Sequence, residues 1–393
     1  MKIPRVIGLL GLALLASLFG RAAYAPTPIS DSGKDLTLSL TAGVTRDSNL
    51  FGSSTGEIET TVYHVEPKVA YEASVTDQTF VTAYYQLTVD YFDNRPGEKT
   101  LYSHNVLARV AHAFSPVTNF SLTDAFVVAK NPESLLAGIP INTDQSYQRN
   151  QFDALFATAP TKKTNVTVKA RSIYYDYRSA SLGRSLDRTE NLYGLVGDLA
   201  VLPEVKAVAE YRHQDVTYRS ASDNKDKHSD FFLAGADYAA GPKLSASTRL
   251  GFEFRRRSGE RSETSPYAEF SGKYGYAKRS FVSAGYVHTL EESSDVVRFT
   301  DTQINRFFVN AQHPLSSRIV ASGSLSYEPS KLQGRRGRAD LDETTTRFGA
   351  ALTYLAARNW SVAASYDYDN IDSDDAARGQ VRQRVGVSAT YAF

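Results

Sequence analysis

The sequence has no cysteine in its 393 residues, only one methionine and only one tryptophan. Without cysteine there can be no disulfide, no thiolate metal site and no cysteine nucleophile. No excess of one charge is present either, since 44 Lys and Arg stand against 43 Asp and Glu. A near-neutral chain gives no electrostatic reason to expect a nucleic-acid partner. The chain is instead rich in aromatics, with 24 Tyr and 20 Phe, residues that favour β-strands.

The first 25 residues have the pattern of a secretory signal peptide. Lys2 and Arg5 precede an apolar run over residues 6–19, and small residues follow as far as Ala25. A basic start, a short apolar stretch and a small-residue cleavage site are the three parts of such a peptide. An N-terminal membrane anchor is the alternative, but this run is shorter than the about 20 residues that a spanning helix needs.

The cleavage position stays open because Pro26 would directly follow the cut bond, where proline disfavours processing. Cleavage a few residues earlier, for example after Ala22, is the other possibility. We predict an exported protein in which residues 1–25 are the leader and residues 26–393 form the mature chain, with no separate soluble domain.

Long apolar runs are absent after residue 25, so no helix of about 18 apolar residues is expected there. Apolar and polar residues alternate instead, as in Phe80–Phe92, Leu244–Phe254 and Val385–Phe393. Alternation with period two places one face of a strand against an apolar medium and the other against a polar one. A soluble β-sandwich would show the same local pattern, so alternation alone does not decide the fold.

The breaks between these segments are more informative, because eight short ones alternate with nine long polar ones. The short breaks lie at residues 74–78, 115–116, 159–162, 202–204, 241–242, 276–278, 314–316 and 357–359. The long breaks lie at residues 46–59, 94–99, 130–146, 178–188, 219–227, 256–264, 291–302, 329–341 and 370–379. Seventeen connections predict about eighteen strands. Short turns on one side and long loops on the other are typical of an all-β, antiparallel, up-and-down transmembrane barrel with both termini in the periplasm.

Both ends of the mature chain resemble known outer-membrane families. The C-terminal segment Val387–Phe393 is similar to the assembly signal of outer-membrane proteins, in which alternate hydrophobic residues end on an aromatic. That resemblance implies that the barrel-assembly machinery reads Tyr391 and Phe393. The segment Leu40–Phe51, with Asp47-Ser-Asn-Leu-Phe at its end, resembles the first hairpin of the β-barrel porin families. The resemblance implies an outer-membrane barrel of a Gram-negative bacterium and says little about its substrate.

If the apolar faces meet lipid, the charged residues on the opposite faces line the lumen. Facing lipid at mid-depth would cost a Lys or Arg about 2–4 kcal/mol. The predicted pore-lining residues are Arg109, Lys169, Arg171, Lys206, Glu210, Arg212, Arg249, Glu253, Glu269, Lys273, Arg347, Asp367, Arg382 and Arg384.

Ten of these fourteen residues are basic, which favours a mild preference for anions that weakens as salt screens the charges. The alternative is that the residues form ion pairs across the lumen. Glu210, Glu253, Glu269 and Asp367 would then cancel the field of the bases.

The longest loop, residues 130–146, is the third long loop from the N-terminus. In position it resembles the third loop of general porins, which folds into the lumen. It is therefore our candidate constriction. The alternative is that the loop packs on the rim of the barrel. Its apolar residues are Leu135, Leu136, Ile139, Pro140 and Ile141.

Two basic stretches stand near long loops. They are Arg255–Arg257 with Arg261, and Lys331 with Arg335, Arg336 and Arg338. Such clusters suit the phosphates of lipopolysaccharide or an acidic polysaccharide, although basic loops are more often simply solvated.

Neither catalysis nor a cofactor is expected. The seven histidines are scattered, no G-x-S-x-G or H-E-x-x-H motif occurs, and His228 near Asp226 and Asp230 is what polar loops produce by chance. The acidic stretch Asp367–Asp375 lacks the glycine and the closing glutamate of an EF-hand loop. We therefore expect no enzyme, no cofactor and no metal site.

Passive diffusion of small hydrophilic solutes is the main functional hypothesis, because so wide a barrel leaves room for water. An exopolysaccharide-export barrel and a closed structural or adhesive protein are the alternatives. The expected partners are outer-membrane lipid and lipopolysaccharide, the barrel-assembly machinery, and small solutes or a polysaccharide.

Overall fold

The computed structural model describes residues 35–129, 146–220, 225–260, 262–293, 295 and 297–393. The predicted leader, residues 1–25, lies outside the described residues. Eighteen strands follow one another along the chain: β1 (Leu36–Asp47), β2 (Thr60–Thr76), β3 (Thr79–Phe92), β4 (Thr100–Ser115), β5 (Thr118–Ala129), β6 (Tyr147–Thr158), β7 (Thr164–Tyr177), β8 (Arg188–Leu202), β9 (Val205–Tyr218), β10 (Lys227–Ala240), β11 (Leu244–Arg257), β12 (Glu263–Ala277), β13 (Ser280–Glu292), β14 (Phe299–Pro314), β15 (Ile319–Gly334), β16 (Leu341–Leu355), β17 (Trp360–Ser373) and β18 (Gln380–Ala392).

The eighteen strands form one antiparallel sheet that closes on itself. Each strand pairs with the next, and β18 returns to pair with β1 from Ser39↔Ala392 to Asp47↔Arg384. A closed sheet leaves no backbone edge unpaired, as lipid requires. The predicted eighteen-stranded barrel is confirmed. Each of the seventeen predicted breaks overlaps a connection between two strands, although some extend into strand ends, as residues 329–341 cover the last six residues of β15.

The strands are longer than the roughly ten residues that a tilted strand needs to cross the membrane. They run from 12 residues in β1 to 17 in β2. At the long-loop end of β15 and β16 the outward face carries charges, since Lys331 and Asp342 lie directly opposite each other. Strand pairing therefore continues past the apolar band, since these residues suit water or head groups better than lipid tails.

The two faces of the sheet differ sharply, and β11 illustrates this. Leu250 and Phe252 are 49% and 54% exposed, whereas Glu253 and Arg255, which follow them on the opposite face, are 1% and 2% exposed. Arg255 contacts Asp301 of β14 although β12 and β13 lie between the two strands. Only the concave inner face allows such a contact, so the charged face points into the barrel and the apolar face points outward.

One short helix, α1 (Ala180–Leu186), interrupts the long connection between β7 and β8, where we predicted a loop without regular structure. Among the described residues, no helix is long and apolar enough to pass through a membrane.

The aromatic residues of the predicted assembly signal lie at the short-turn end. Tyr391 packs against Trp360 of β17 with ring centroids 4.9 Å apart, and against Phe393 at 4.7 Å. Phe393 itself is 57% exposed. The end of the last strand thus presents an aromatic cluster to the outside of the barrel.

At two inner-face glycines, Gly235 and Gly251, the backbones of β10 and β11 approach closely. A Cβ atom on Gly251 would lie 1.9 Å from the Phe232 carbonyl oxygen, and one on Gly235 would lie 1.8 Å from the Thr248 carbonyl oxygen. Because those neighbours are backbone atoms, the strands would have to separate to admit a methyl group.

We expect Gly251→Ala to lower the free energy of unfolding by about 1–3 kcal/mol or more, as overpacking does. The control is Gly197→Ala, because nothing lies within 4 Å of a Cβ at that position. Urea unfolding in lipid vesicles, followed through the fluorescence of the single tryptophan, measures both. Equal stability of the two variants would contradict the close approach.

Candidate functional site

Six charged side chains meet on the inner wall about halfway along the barrel. This mid-barrel cluster consists of Lys169, Glu210, Arg212, Asp237, Arg249 and Glu269. The Glu210 carboxylate is its centre, 2.7 Å from Arg212 Nε and 3.3 Å from Arg249 Nε. Lys169 Nζ approaches the same carboxylate to 3.6 Å. Asp237 accepts a hydrogen bond from Arg249 at 2.8 Å, so three bases are balanced by three carboxylates.

Two glycines let these side chains cross a neighbouring strand. Gly194 of β8 pairs with Lys169 on one side and with Arg212 on the other. Gly235 of β10 likewise lies beside Arg249. Because neither glycine has a side chain on the inner wall, bases from β7 and β11 can both reach Glu210 on β9.

The cluster extends further across the wall through Tyr267 of β12. Its hydroxyl accepts a hydrogen bond from Arg212 Nη1 at 3.0 Å and donates one to Glu269 at 2.8 Å. Arg212 Nη2 also lies 3.8 Å from Glu269. One continuous polar network therefore joins β7 to β12 along the inner face.

A second group of charges lies where the first and last strands meet. Arg382 of β18 is 2% exposed, and its Nε donates to Asp47 of β1 at 3.0 Å. Arg384 Nη2 donates to Asp369 of β17 at 3.0 Å, and Arg347 of β16 lies 3.9 Å from the same carboxylate. These contacts, the seam cluster, tie four strands together where the barrel closes.

Three more of the predicted pore-lining bases have a carboxylate or an aromatic ring beside them. Arg171 lies 2.6 Å from Asp153 and Lys206 lies 3.0 Å from Asp198. Lys273 Nζ stands 4.6 Å above the ring of Phe281.

The other predicted residues also fall on the inner face. Arg109 is paired in register with Thr82 and Thr123, Asp367 lies opposite Arg384, and Glu253 accepts a hydrogen bond from Arg255 at 2.8 Å.

Several inner-face carboxylates were missed by the sequence analysis. They are Asp47, Asp153, Asp198, Asp237 and Asp369. Each could have been found by extending the alternation of its strand by a few residues, since Asp369 has the same parity as Asp367. The ten-to-four excess of bases therefore overstates the positive charge of the wall.

At the long-loop end, helix α1 folds against the inner wall. Leu182 and Leu186 pack in one apolar cluster with Tyr177, Val216 and Tyr218, which belong to the inner faces of β7 and β9. Burial raises the pKa of Asp187, the residue that follows the helix. The helix therefore occupies part of the opening of the barrel at its long-loop end, here called the mouth.

The tip of the β13–β14 hairpin also bends inward over the mouth. Pairing between β12 and β13 ends at Ala268↔His288. Beyond it, Glu292 accepts hydrogen bonds from Tyr218 at 2.6 Å and from Arg257 at 3.1 Å. These partners belong to β9 and β11, so the tip bends across the inner wall instead of continuing the cylinder.

The same hairpin reaches the opposite side through Arg298, in the connection between its strands. Arg298 Nη2 donates to Asp375, in the loop after β17, at 2.9 Å. This guanidinium and the backbone N–H of Ala377 hold the pKa of the Asp375 carboxyl below its usual value. The mouth is therefore narrowed from two sides, by α1 and by this hairpin.

The first long loop packs inward too. Leu50 is buried with Val62, Phe92 and Leu101, which lie on the inner faces of β2 to β4. Asn49 holds the turn, donating to the Ser53 carbonyl at 2.8 Å. The residues proposed as the constriction in the third loop all lie outside the described residues: Leu135, Leu136, Ile139, Pro140 and Ile141.

The expectation that Arg255 and Arg257 lie in an outer loop, either solvated or facing lipopolysaccharide, is wrong. Both residues belong to β11, and both are ion-paired inside the barrel to Asp301. Arg335 is buried against Glu260 at 3.1 Å. These arginines are paired with carboxylates of the barrel itself, Asp301 of β14 and Glu260 of the β11–β12 connection, and so they stabilise the mouth.

Comparisons with known proteins agree with this architecture. The model of the family described as "Putative beta-barrel porin 2" matches residues 162–393, the part that contains β7 to β18. A search among proteins of curated function finds none that matches the sequence.

Solved structures with a similar fold include the outer-membrane protein OpdK. OpdK of Pseudomonas aeruginosa has a TM-score of 0.50 and 10% identity, over 91% of this chain and 99% of that one. OccK5 (OpdH) of the same organism has a TM-score of 0.48 and 12% identity, over 91% and 98%. OccAB3 of Acinetobacter baumannii has a TM-score of 0.48 and 10% identity, over 91% and 100%.

We expect Asp47→Ala to lower the free energy of unfolding by about 3–5 kcal/mol, because it leaves Arg382 buried without its partner. Replacing both residues by leucine should recover most of that loss. The control is Glu59→Ala, which breaks the nearby but exposed Arg46–Glu59 pair and should change stability little. Urea unfolding in lipid vesicles measures all three, and a loss no larger than that of the control would contradict the role of the seam.

Replacing residues 180–186 by a short glycine-serine linker should widen the mouth. A helix with its side chains is about 10 Å across, so we expect single-channel conductance to rise by roughly half or more. Shortening the exposed connection at residues 336–339 is the control. Unchanged conductance after removal of α1 would show that the helix does not restrict the path.

Proposed function

Because the chain belongs to the family described as "Putative beta-barrel porin 2", we propose that it is a passive diffusion channel for small hydrophilic solutes. It is a porin-like barrel of the outer membrane of a Gram-negative bacterium. The observation that carries the proposal is the polar inner wall, in which charged side chains follow the barrel from the mid-barrel cluster to the mouth. A wall of this kind suits water and polar solutes and offers nothing to an apolar substrate.

The proposed solutes are selected by size more than by charge. The fourteen predicted pore-lining residues remain the proposed wall of the path, but most of their bases have a carboxylate within 4 Å. Paired charges largely cancel beyond about 10 Å at 0.1 M salt. The arrangement therefore favours the ion-pair alternative over an inner wall with a net positive charge. We propose weak ion selectivity.

The proposed orientation places the short turns in the periplasm and the long loops outside, as in other outer-membrane barrels. The start of β1 and the end of β18 lie together at the short-turn end, so both termini of the barrel would be periplasmic. Export through the leader, residues 1–25, and reading of Tyr391 and Phe393 by the barrel-assembly machinery are parts of the same proposal. The exposed ring of Phe393 supports it.

The test of the channel is a planar-bilayer recording of the purified protein. We expect steady conductance, and a reversal potential close to that of an unselective pore under a salt gradient. Absence of conductance would contradict passive diffusion. Strong anion selectivity would instead support an inner wall with a net positive charge.

Glu210→Gln should make the same channel prefer anions, because three bases lose their shared carboxylate. One unit charge at about 10 Å in water is worth about 0.4 kcal/mol, and its loss acts in opposite directions on an anion and on a cation. The anion-to-cation permeability ratio should therefore rise about fourfold at low salt. The control is Asp340→Asn. This substitution removes the charge of a loop residue that forms an exposed pair with Lys331 of β15. A reversal potential that is equal in both variants would place the mid-barrel cluster outside the ion path.

A further inference from the structure

Two His-x-Asp sequences lie side by side on the outer face of the barrel. They are His213-Gln-Asp215 in β9 and His228-Ser-Asp230 in β10. The antiparallel register pairs His213 with Asp230 and Asp215 with His228. Because side chains two residues apart in a strand share a face, the four residues form one compact square.

The square faces away from the lumen. Glu210 and Arg212, which alternate with its members in β9, belong to the inner mid-barrel cluster. The outward neighbours Tyr211 and Phe232 are exposed, and their rings pack together at 5.2 Å. Asp215 lies three residues before the end of β9, and His228 lies one residue after the start of β10. Three residues correspond to about 10 Å along a strand.

Three of the four side chains place a nitrogen or oxygen atom that could bind a metal ion near the same point. His213 Nε2 lies 3.2 Å from Asp215 Oδ1, and His228 Nδ1 contacts the same oxygen. All three ligand atoms lie within 4.8 Å of one another. A zinc ion bound about 2.0–2.1 Å from each atom with tetrahedral angles separates its ligands by about 3.3 Å, so small side-chain movements would admit the ion.

The fourth residue holds the first histidine in the orientation that a metal needs. Asp230 Oδ1 lies 2.8 Å from His213 Nδ1 and accepts a hydrogen bond from Tyr211 at 2.7 Å. A histidine ligand commonly donates its second ring N–H to a carboxylate, which fixes the ring and its tautomer. Here that bond leaves Nε2 directed at Asp215 and His228.

We propose that His213, Asp215 and His228 form a binding site for a divalent transition metal ion, best suited to zinc. Two imidazoles and one carboxylate match the ligands of zinc, whereas calcium and magnesium prefer oxygen alone. With three protein ligands, the fourth position is open to water or to an oxygen anion. The site goes beyond the proposed channel function, because it lies on the other side of the wall and does not require an open lumen.

The experiment uses the full barrel folded in detergent and stripped of metal with a chelator. Zinc is titrated by calorimetry, and cobalt(II) serves as a coloured probe whose visible absorption reports tetrahedral coordination. We expect one zinc per chain in the wild type and no stoichiometric binding in His213→Ala or His228→Ala. Asp230→Asn should weaken binding by about 10–100-fold, as loss of an outer-shell carboxylate does.

His104→Ala is the matched control, since His104 of β4 is hydrogen-bonded to Tyr85 at 3.0 Å and lies apart from the square. It should bind zinc like the wild type. Asp215→Asn keeps the shape of the side chain, so it tests the site even if a histidine variant fails to fold, and folding is checked by the fluorescence of Trp360. No zinc binding by the wild type, or equal binding by wild type, His213→Ala and Asp215→Asn, would overturn the proposal.

Discussion

The demand that lipid makes on the backbone governs the rest of this structure. A strand in a bilayer has no water to satisfy its N–H and C=O groups, so the sheet must close. Closure then divides every strand into an outward and an inward face, and charges are forced onto the inner one. The seam between β1 and β18 is where the first and last strands close the sheet, and the buried Asp47–Arg382 pair lies there.

Once the charges are inside, their own desolvation decides how they are arranged. A buried guanidinium without a carboxylate is costly, so the wall pairs Arg212 and Arg249 with Glu210, and Arg257 with Glu292 at the mouth. Glycines at positions 194 and 235 make room for these contacts. The inner wall therefore consists of connected networks and not of isolated charges.

The strand number, the register of faces and the positions of all connections could be predicted because each depends on local alternation and on loop length. The partners of the charges could not, since Arg212 of β9 reaches Glu269 of β12 across two intervening strands and no local pattern encodes that contact. Helix α1 was also missed, because seven residues with two leucines carry too little periodicity to stand out from a loop. The outward pair of His-x-Asp sequences looked accidental until the register placed them side by side.

The ion pairs of the mid-barrel cluster also fix how far side chains project. Lys169, Arg212 and Arg249 lie along the wall toward Glu210 instead of extending toward the barrel axis. A long cation held flat leaves more free cross-section than one that extends toward the axis. The same contacts that neutralise the wall would thus set the size limit of the passage, so that pore width and pore charge cannot be changed independently.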